Sequence, residues 1–549
     1  MKLSGAQILI EELLMHDVTT AFGYPGGAVL PIYDELYKNS QRINHIITAH
    51  EQGGAHAADG YARVNRKTGV VIATSGPGAT NLVTGIANAY LDSVPIVAIT
   101  GNVAAPLLGK DSFQEVDIMG ITQPVVKHNF VVREVEKLSD TLREAFCIAN
   151  SGRKGPVLVD IPKNVQTDTC EYLRREPLPI QTKMFKGELS KVIDAIKSSE
   201  KPFIYAGGGV LASGAQDELL SLSKKISAPV GLSMMGLTAL PASYELNLGM
   251  CGMHGKYAAN VAQSECDLMI ALGVRFSDRA TGNIKEYKNE HTIIHVDIDM
   301  AEIDKNVTCH IEICCDIKEF LNMIIDRVDE KKNEHWLSTI EKLKEIDALP
   351  QKGDFTPQKI IKTVNKLCSK ETVVATDVGQ HQMWTMQHYK FESPNTLLTS
   401  GGLGTMGYGM GAAIGGCIAK SKQRTVLFTS DGSFGMNLNE LATAVTQKLP
   451  IVIVLLNNGT LGMVRQWQNM FYDERYSQTT LNRKTDFVAL AKAFGGEGYI
   501  AANLDELAKI FSNLSNDTPT LIECRVDMDE KVLPMIPPGG SVKDIIVRG

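Results

Sequence analysis

Two stretches carry residues whose types and spacing could do chemistry. The first is SDGSFGMNLNELATAVTQKLPIVIVLLNN, residues 430–458. Asp431 follows one apolar run, Val426-Leu427-Phe428, and Asn458 follows another, Ile451 to Leu456. Between them lie a Gly432-Ser433 turn, a helical stretch over 437–447 and Pro450. In a right-handed βαβ unit the two strands run parallel, so Asp431 and Asn458 leave one sheet by the same edge. A carboxylate and an amide oxygen are hard ligands that suit Mg²⁺, which completes its shell with waters and phosphate oxygens. Backbone N–H groups at the start of the following helix can hold those phosphates. The pair reads as a metal–diphosphate clamp, whereas either half alone would be an ordinary surface turn. The second stretch is TAHEQGGAHAADGYAR, residues 48–63. Glu51 follows an apolar segment, His45-Ile46-Ile47, and precedes small residues whose close packing would admit a cofactor. By itself Glu51 would be a solvated loop residue. Beside a second Gly-rich strand-to-helix turn, TSGPGATN (74–81), it becomes a candidate catalytic carboxylate.

Such residues need rigid sheets behind them. Short apolar runs alternate with helical patterns at Gly69 to Ala73, Pro95 to Thr100 and Pro156 to Ile161, then at Pro202 to Ala206, Leu268 to Ala271 and Ile293 to Val296. Runs of this kind fit buried parallel strands. A polar, Pro-containing stretch from Thr167 to Lys183 reads as a linker, and Asp329 to Gln351 as a charged segment of helix-forming composition. The expected fold class is α/β, with three doubly wound parallel-sheet domains over 1–166, 185–330 and 355–530, and a Pro/Gly-rich tail over 531–549. Ligands of such sheets sit beyond the carboxyl ends of the strands.

The bulk numbers agree. At 549 residues the chain is several times a usual domain of about 100–150 residues. The 55 Lys and Arg against 62 Asp and Glu give a formal charge of −7, so no broad basic surface marks a nucleic-acid partner. The 10 cysteines include no C-x-x-C, and Cys314-Cys315 are adjacent, which fits reduced thiols in cytosol. The N-terminus, MKLSGAQILIEELLMHDV, reads as an amphipathic helix and not as a signal peptide. No run approaches 18 uncharged apolar residues, so no membrane span is expected.

Asp431-Gly432 with Asn457-Asn458 resembles the cofactor motif of thiamine-diphosphate (ThDP) enzymes, with Ser430 in place of its first glycine. HEQGGAHAADGYAR resembles the same family's pyrimidine-domain motif. FGYPGGAVLPIYD (22–34), DSFQEVDIMGIT (111–122), VKHNF (126–130), VGQHQMW (378–384), SGGLGTMGYG (400–409) and LGMVRQWQ (461–468) are similar to the catalytic large subunits of acetohydroxyacid synthases, the biosynthetic acetolactate synthases. The likeness covers nearly the whole chain. It implies a pyrimidine-binding first domain, a central FAD-type domain and a diphosphate-binding third domain. It implies Asp431, Asn458 and the backbone oxygen of Thr460 as Mg²⁺ ligands, and Glu51 as the carboxylate that activates ThDP. Gly26, Pro77 and Asn81 would flank the pyrimidine. Val378, Gly379, Gln380, His381, Gly432 and Ser433 would hold the diphosphate, with Gly404 and Met463 also against the cofactor. Met406 would wedge ThDP into a bent shape. Arg279 would clamp the carboxylate of a second keto acid, because its fork binds carboxylates bidentately. Gln114 and Phe113 would line the same pocket. Trp467 would offer a flat wall that favours an ethyl over a methyl group, and so 2-ketobutyrate over pyruvate, by about 0.8 kcal/mol or more.

In the central domain YAGGGV (205–210), with Gly207, Gly208 and Gly209, is too short of G-x-G-x-x-G to stand alone. Together with His254 in GMHG, Arg275 in GVRF, HVDIDMAEI (295–303) and Asp316 it resembles the FAD segments of the family, where the flavin has no net redox role. Ser277 and Met300 depart from that pattern, as do Lys110 and Gly411 elsewhere. The implied reaction joins pyruvate, with loss of CO₂, to a second 2-keto acid. The products would be 2-acetolactate or 2-aceto-2-hydroxybutyrate, in branched-chain amino-acid biosynthesis. The resemblance further implies a homodimer or homotetramer with sites across the subunit interface, a small regulatory subunit, and a cytoplasmic location. The tail and the 468–481 segment are expected as lids. An FAD-independent catabolic acetolactate synthase, or another ThDP-dependent 2-keto acid decarboxylase or oxidase, stays open as an alternative. Trp467 weighs against the catabolic enzyme, and Glu51 against a non-catalytic subunit.

Overall fold

The computed structural model describes residues 1–180, 185–287, 291–348 and 353–547. The end of the expected linker, 181–183, and the end of the charged segment, 349–351, lie outside the described residues.

Strand Gly69–Ala73, GVVIA, is buried along its whole length. Pro202–Ala206 and Leu268–Leu272 are buried in the same way. A strand covered on both faces has no polar alternation to show, which is why these runs read as continuous apolar blocks. They build three sheets of six strands each, and every pairing within these sheets is parallel. The first sheet runs, edge to edge, Asn44–Ile47, Thr20–Gly23, Gly69–Ala73, Ile96–Asn102, Val157–Pro162, His128–Val131. The central sheet runs Asn247–Met250, Val230–Leu232, Pro202–Ala206, Leu268–Leu272, Thr292–Asp297, Ile311–Cys314. The third runs Leu397–Leu398, Val373–Thr376, Thr425–Ser430, Ile451–Asn457, Thr520–Arg525, Glu497–Ala501.

Two local readings need correction, and a third is extended. Residues Lys2–Ser4 form a strand, antiparallel to Thr169–Glu171 inside the expected linker, before the first helix begins at Gly5. The helix expected over 437–447 starts earlier, at Asp431, and breaks at Asn437 before resuming at Leu441. Ser430 supplies the earlier start as its N-cap. The extension concerns the small residues after Glu51. They pack one helix on another, a role the sequence reading did not name. Helix Glu51–Asn65 lies against helix Tyr408–Ala419 of the third unit so closely that a Cβ at Gly60, Gly411 or Gly415 would run into the backbone of Ala412, Gly53 or Ala57. One hydrophobic core therefore spans both units, from Phe22 and Val71 to Leu427 and Ile453. Buried Asp59 fixes the pair, accepting from Tyr408 at 2.7 Å and from Arg63 at 2.6 Å, while Arg63 also reaches Asp92 at 2.9 Å.

All ten cysteines are free. Among the described residues no helix is long and apolar enough to cross a membrane.

Candidate active site

The third sheet brings the clamp together. Its register pairs Ser430 with Leu456, so Asp431 and Asn458 leave the same edge within one residue of each other. The Asn458 backbone N–H favours the ionised Asp431 carboxyl. Burial still dominates and pushes that carboxyl up to about 6, and its Oδ1 is buried with no partner. A buried carboxylate oxygen left without a donor suits a cation. Asn458 accepts the Thr460 N–H at 3.3 Å. A cavity of about 80 Å³ beside these residues is bounded by Val378, Gly379, His381, Ser430, Asn458 and Thr460, with Met406 and Met463 over it. Polar groups around a small void, with the unsatisfied acid Asp431 next to its lining residue Ser430, fit a metal–diphosphate group.

Two diphosphate candidates are otherwise engaged. Gln380 donates to Gln466 at 3.0 Å and to the Glu530 carbonyl at 2.8 Å, and accepts from Asn458 at 3.3 Å. It ties the tail to the clamp. Ser433 donates its hydroxyl to the Val378 carbonyl at 2.7 Å, and its N–H meets Ser430 Oγ at 3.4 Å. Glycine at 430 would leave that N–H free. Ser430→Gly is therefore expected to tighten Mg·ThDP binding about threefold, the worth of one weak hydrogen bond. Calorimetric titration of both proteins checks this; equal affinities would count against it. His381 is held neutral, pushed down to about 3 by burial, with Nε2 unpartnered. A Cβ at Gly432 would press on Leu461 and touch Leu481, and Gly404, at φ +69°, has open space around it.

Met406, Met463 and Gly404 also line a second cavity of about 1660 Å³, which continues past Trp467 and Arg279 into the central unit. Trp467, on helix Gly462–Phe471, packs against Phe471 with ring centroids 5.9 Å apart. The Arg279 guanidinium lies 5.6 Å above the Trp467 ring, a cation–π contact between two units. Arg279 is held only loosely by Asp278, at 3.7 Å, and stays mostly exposed. It is free to take a carboxylate.

In the same cavity Gly208, Gly209, His254, Arg275 and Asp316 come together. His254 is pushed down to about 4 by burial, and its Nδ1 has no partner. Arg275 is half-buried and lines the cavity. A long cavity lined by unsatisfied donors fits a flavin dinucleotide. The glycines themselves need another explanation. A Cβ at Gly207 or Gly209 would meet the Gly273 backbone, so these positions serve turn-to-turn packing. Asp316 caps its own helix at Lys318 and Glu319.

The pyrimidine half lies elsewhere. Glu51 is the first residue of its helix, 9 % exposed, and accepts from Asn81 Nδ2 at 3.0 Å. Gly78 passes beside its carboxylate. Pro77 opens the short helix that carries Asn81. Gly26 is needed where the chain presses on Thr74. Gln114, at φ +58°, packs its backbone on Gly76, and Phe113 is 88 % exposed. Within one chain Glu51, Gln114 and Phe113 therefore do not line the cavity that holds Arg279 and Trp467. Glu51 follows a strand of the first sheet, whereas Arg279 follows one of the central sheet and Trp467 one of the third.

Two buried acids escaped the sequence reading. Glu440, on the third unit, accepts the N–H groups of His50 at 2.9 Å and Ala49 at 3.2 Å, and the Thr443 hydroxyl at 2.8 Å. It thereby fixes the start of the Glu51 helix, and burial pushes its carboxyl up. Nothing local marks this role. Asp377, at the end of strand Val373–Thr376, accepts from Gly407 at 2.7 Å and Thr429 at 3.1 Å and shapes the Gly404–Gly407 loop. The strand-end rule that located Asp431 would have found it.

Family profiles match in the order of the three sheets. They are "Thiamine pyrophosphate enzyme, N-terminal TPP binding domain" over 3–121, "central domain" over 189–324, and "C-terminal TPP binding domain" over 377–524. The probable acetolactate synthase large subunit of Methanocaldococcus jannaschii is 44% identical over 99% of this chain and 95% of its own length. The acetolactate synthase isozyme 2 large subunit of Escherichia coli is 42% identical over the full length of both. The acetolactate synthase large subunit of Cyanidium caldarium is 45% identical over 98% of this chain and 96% of its own length. With the clamp, the domain order and end-to-end likeness in agreement, the chain belongs to the thiamine pyrophosphate enzymes, within the family of acetolactate synthase large subunits.

Proposed function

We propose that this chain, with Mg²⁺ and ThDP, joins pyruvate to a second 2-keto acid with loss of CO₂, giving 2-acetolactate or 2-aceto-2-hydroxybutyrate for branched-chain amino-acid biosynthesis. One observation carries the reading most: the small cavity at Ser430, Asn458 and Thr460 shares Val378, Gly379, Met406 and Met463 with the cavity that holds Trp467 and Arg279. Asp431, Asn458 and the Thr460 carbonyl would hold the metal, and Val378, Gly379 and Gly432 the diphosphate. ThDP when bound supplies the carbanion chemistry that the side chains lack. Glu51 would hold a proton at N1′ of the aminopyrimidine. Arg279 would take the second keto acid's carboxylate, and Trp467 would pack on its alkyl group. Gly208, His254, Arg275 and Asp316 would hold FAD, in a role without net electron transfer. Because Glu51 lies outside the cavity that holds Trp467 and Arg279, the working unit is at least a homodimer, with Glu51 and the clamp supplied by different copies. The name "large subunit" that the relatives carry supports a small regulatory partner. A cytoplasmic location completes the proposal.

The test is acetolactate formation from pyruvate by the purified chain with ThDP and Mg²⁺, with and without FAD. Flavin-dependent acetolactate is the expected result. Acetolactate with no flavin bound or needed would replace this reading with the catabolic one. Trp467→Leu is expected to cut the preference for 2-ketobutyrate over pyruvate about fourfold, the worth of one buried methylene. Product ratios from mixed substrates measure it, and an unchanged ratio would remove Trp467 from substrate choice.

A further inference from the structure

The central cavity extends beyond the Gly207–Gly209 turn to the edge strand Ile311–Cys314, where Asp316, Arg66 and Lys154 line it. Both cations come from the first unit. Arg66, at φ +61°, ends the helix that begins at Glu51, and Lys154 precedes strand Val157–Pro162. The Arg66 guanidinium lies on Gly214, where a Cβ would stand 2.8 Å from Nη2. Gly214 closes the short helix Gly208–Ser213. Lys154 is half-buried, and burial and then Arg66 lower its proton affinity, with Asp316 partly offsetting them.

Two neighbouring cations are satisfied. Arg63 pairs with Asp59 and Asp92, and Arg153 with Glu302 at 2.8 Å. Among the described residues, neither Arg66 nor Lys154 has an ion pair or a side-chain hydrogen bond. Two like charges converging on one cavity repel each other unless an anion joins them. Asp316 adds the complementary group. Its Oδ1 caps the helix that follows, which leaves Oδ2 for a hydroxyl. A strand-end acid beside a cation is the pattern that takes a ribose and a phosphate.

We propose that Arg66 and Lys154 form a phosphate subsite at the Asp316 end of the central cavity, filled by a phosphate of a ribonucleotide whose ribose hydroxyl reaches Asp316. The phosphate could belong to the diphosphate of FAD, in which case the proposal rests on the flavin reading, or to a separate adenosine nucleotide. Either way the ligand bridges the first and central units and touches the far end of the Glu51 helix.

The experiment titrates the full chain, freed of nucleotide, with FAD and separately with ADP. Flavin fluorescence and calorimetry follow binding, and circular dichroism checks that each variant is folded. Lys154→Gln and Arg66→Gln are each expected to raise Kd about tenfold. Lys154→Arg should keep the affinity of the unaltered chain, and added KCl should weaken binding less in Lys154→Gln than in the unaltered chain. Weakening of FAD assigns the subsite to the flavin's diphosphate. Weakening of ADP in a chain that never takes FAD supports the subsite and ends the flavin reading. Unchanged Kd values in folded variants, or no binding of either nucleotide, would overturn the proposal.

Discussion

Glu51→Gln is expected to lower acetolactate formation roughly a thousandfold, the usual worth of a positioned proton-transfer group, while ThDP still binds. Glutamine keeps the shape and can still meet Asn81, which now donates to the Glu51 carboxylate at 3.0 Å. What it loses is the charge that would hold a proton on the aminopyrimidine. Turnover at saturating pyruvate and the ThDP Kd separate the two effects. More than about a tenth of normal turnover would reject the role given to Glu51.

Asp431→Ala should act at the other half of the site. It removes the only carboxylate of the clamp, and binding of Mg·ThDP should fall roughly a hundredfold or more. The protein should stay folded, because the change relieves a buried acid that has an unpartnered oxygen. A ThDP titration that matches the unaltered chain would end the clamp assignment. The two variants also test the interface. Each alone is nearly inactive, but if sites form between copies, a mixed dimer regains one intact site. Random reassociation of equal amounts should restore roughly one quarter of full activity. No recovery from demonstrably mixed dimers would return the whole site to a single chain.

The sequence revealed what is local. Asp431 and Asn458 stand fewer than thirty positions apart, and the apolar blocks and Gly-rich turn that carry them sit where a parallel sheet needs them. The sheet count followed in the same way. What stayed hidden depends on partners far along the chain. Glu440 meets His50 across 390 positions, and no spacing rule announces that. Gln380 resembled a diphosphate ligand but spends its amide on Gln466 and the tail, which only the folded tail discloses. The small residues after Glu51 also pack on the Tyr408–Ala419 helix, a neighbour just as distant in the chain.

That distance bears on how the protein is made. Asp59 and Tyr408 are 349 positions apart. At about 5–20 residues per second, a ribosome needs roughly 20–70 s to travel from one to the other. Throughout that interval the small-residue face of the Glu51 helix has no cover from its own chain. The first unit cannot finish its core on emerging, as an independent domain would. It must wait, or be shielded, until the third unit is released.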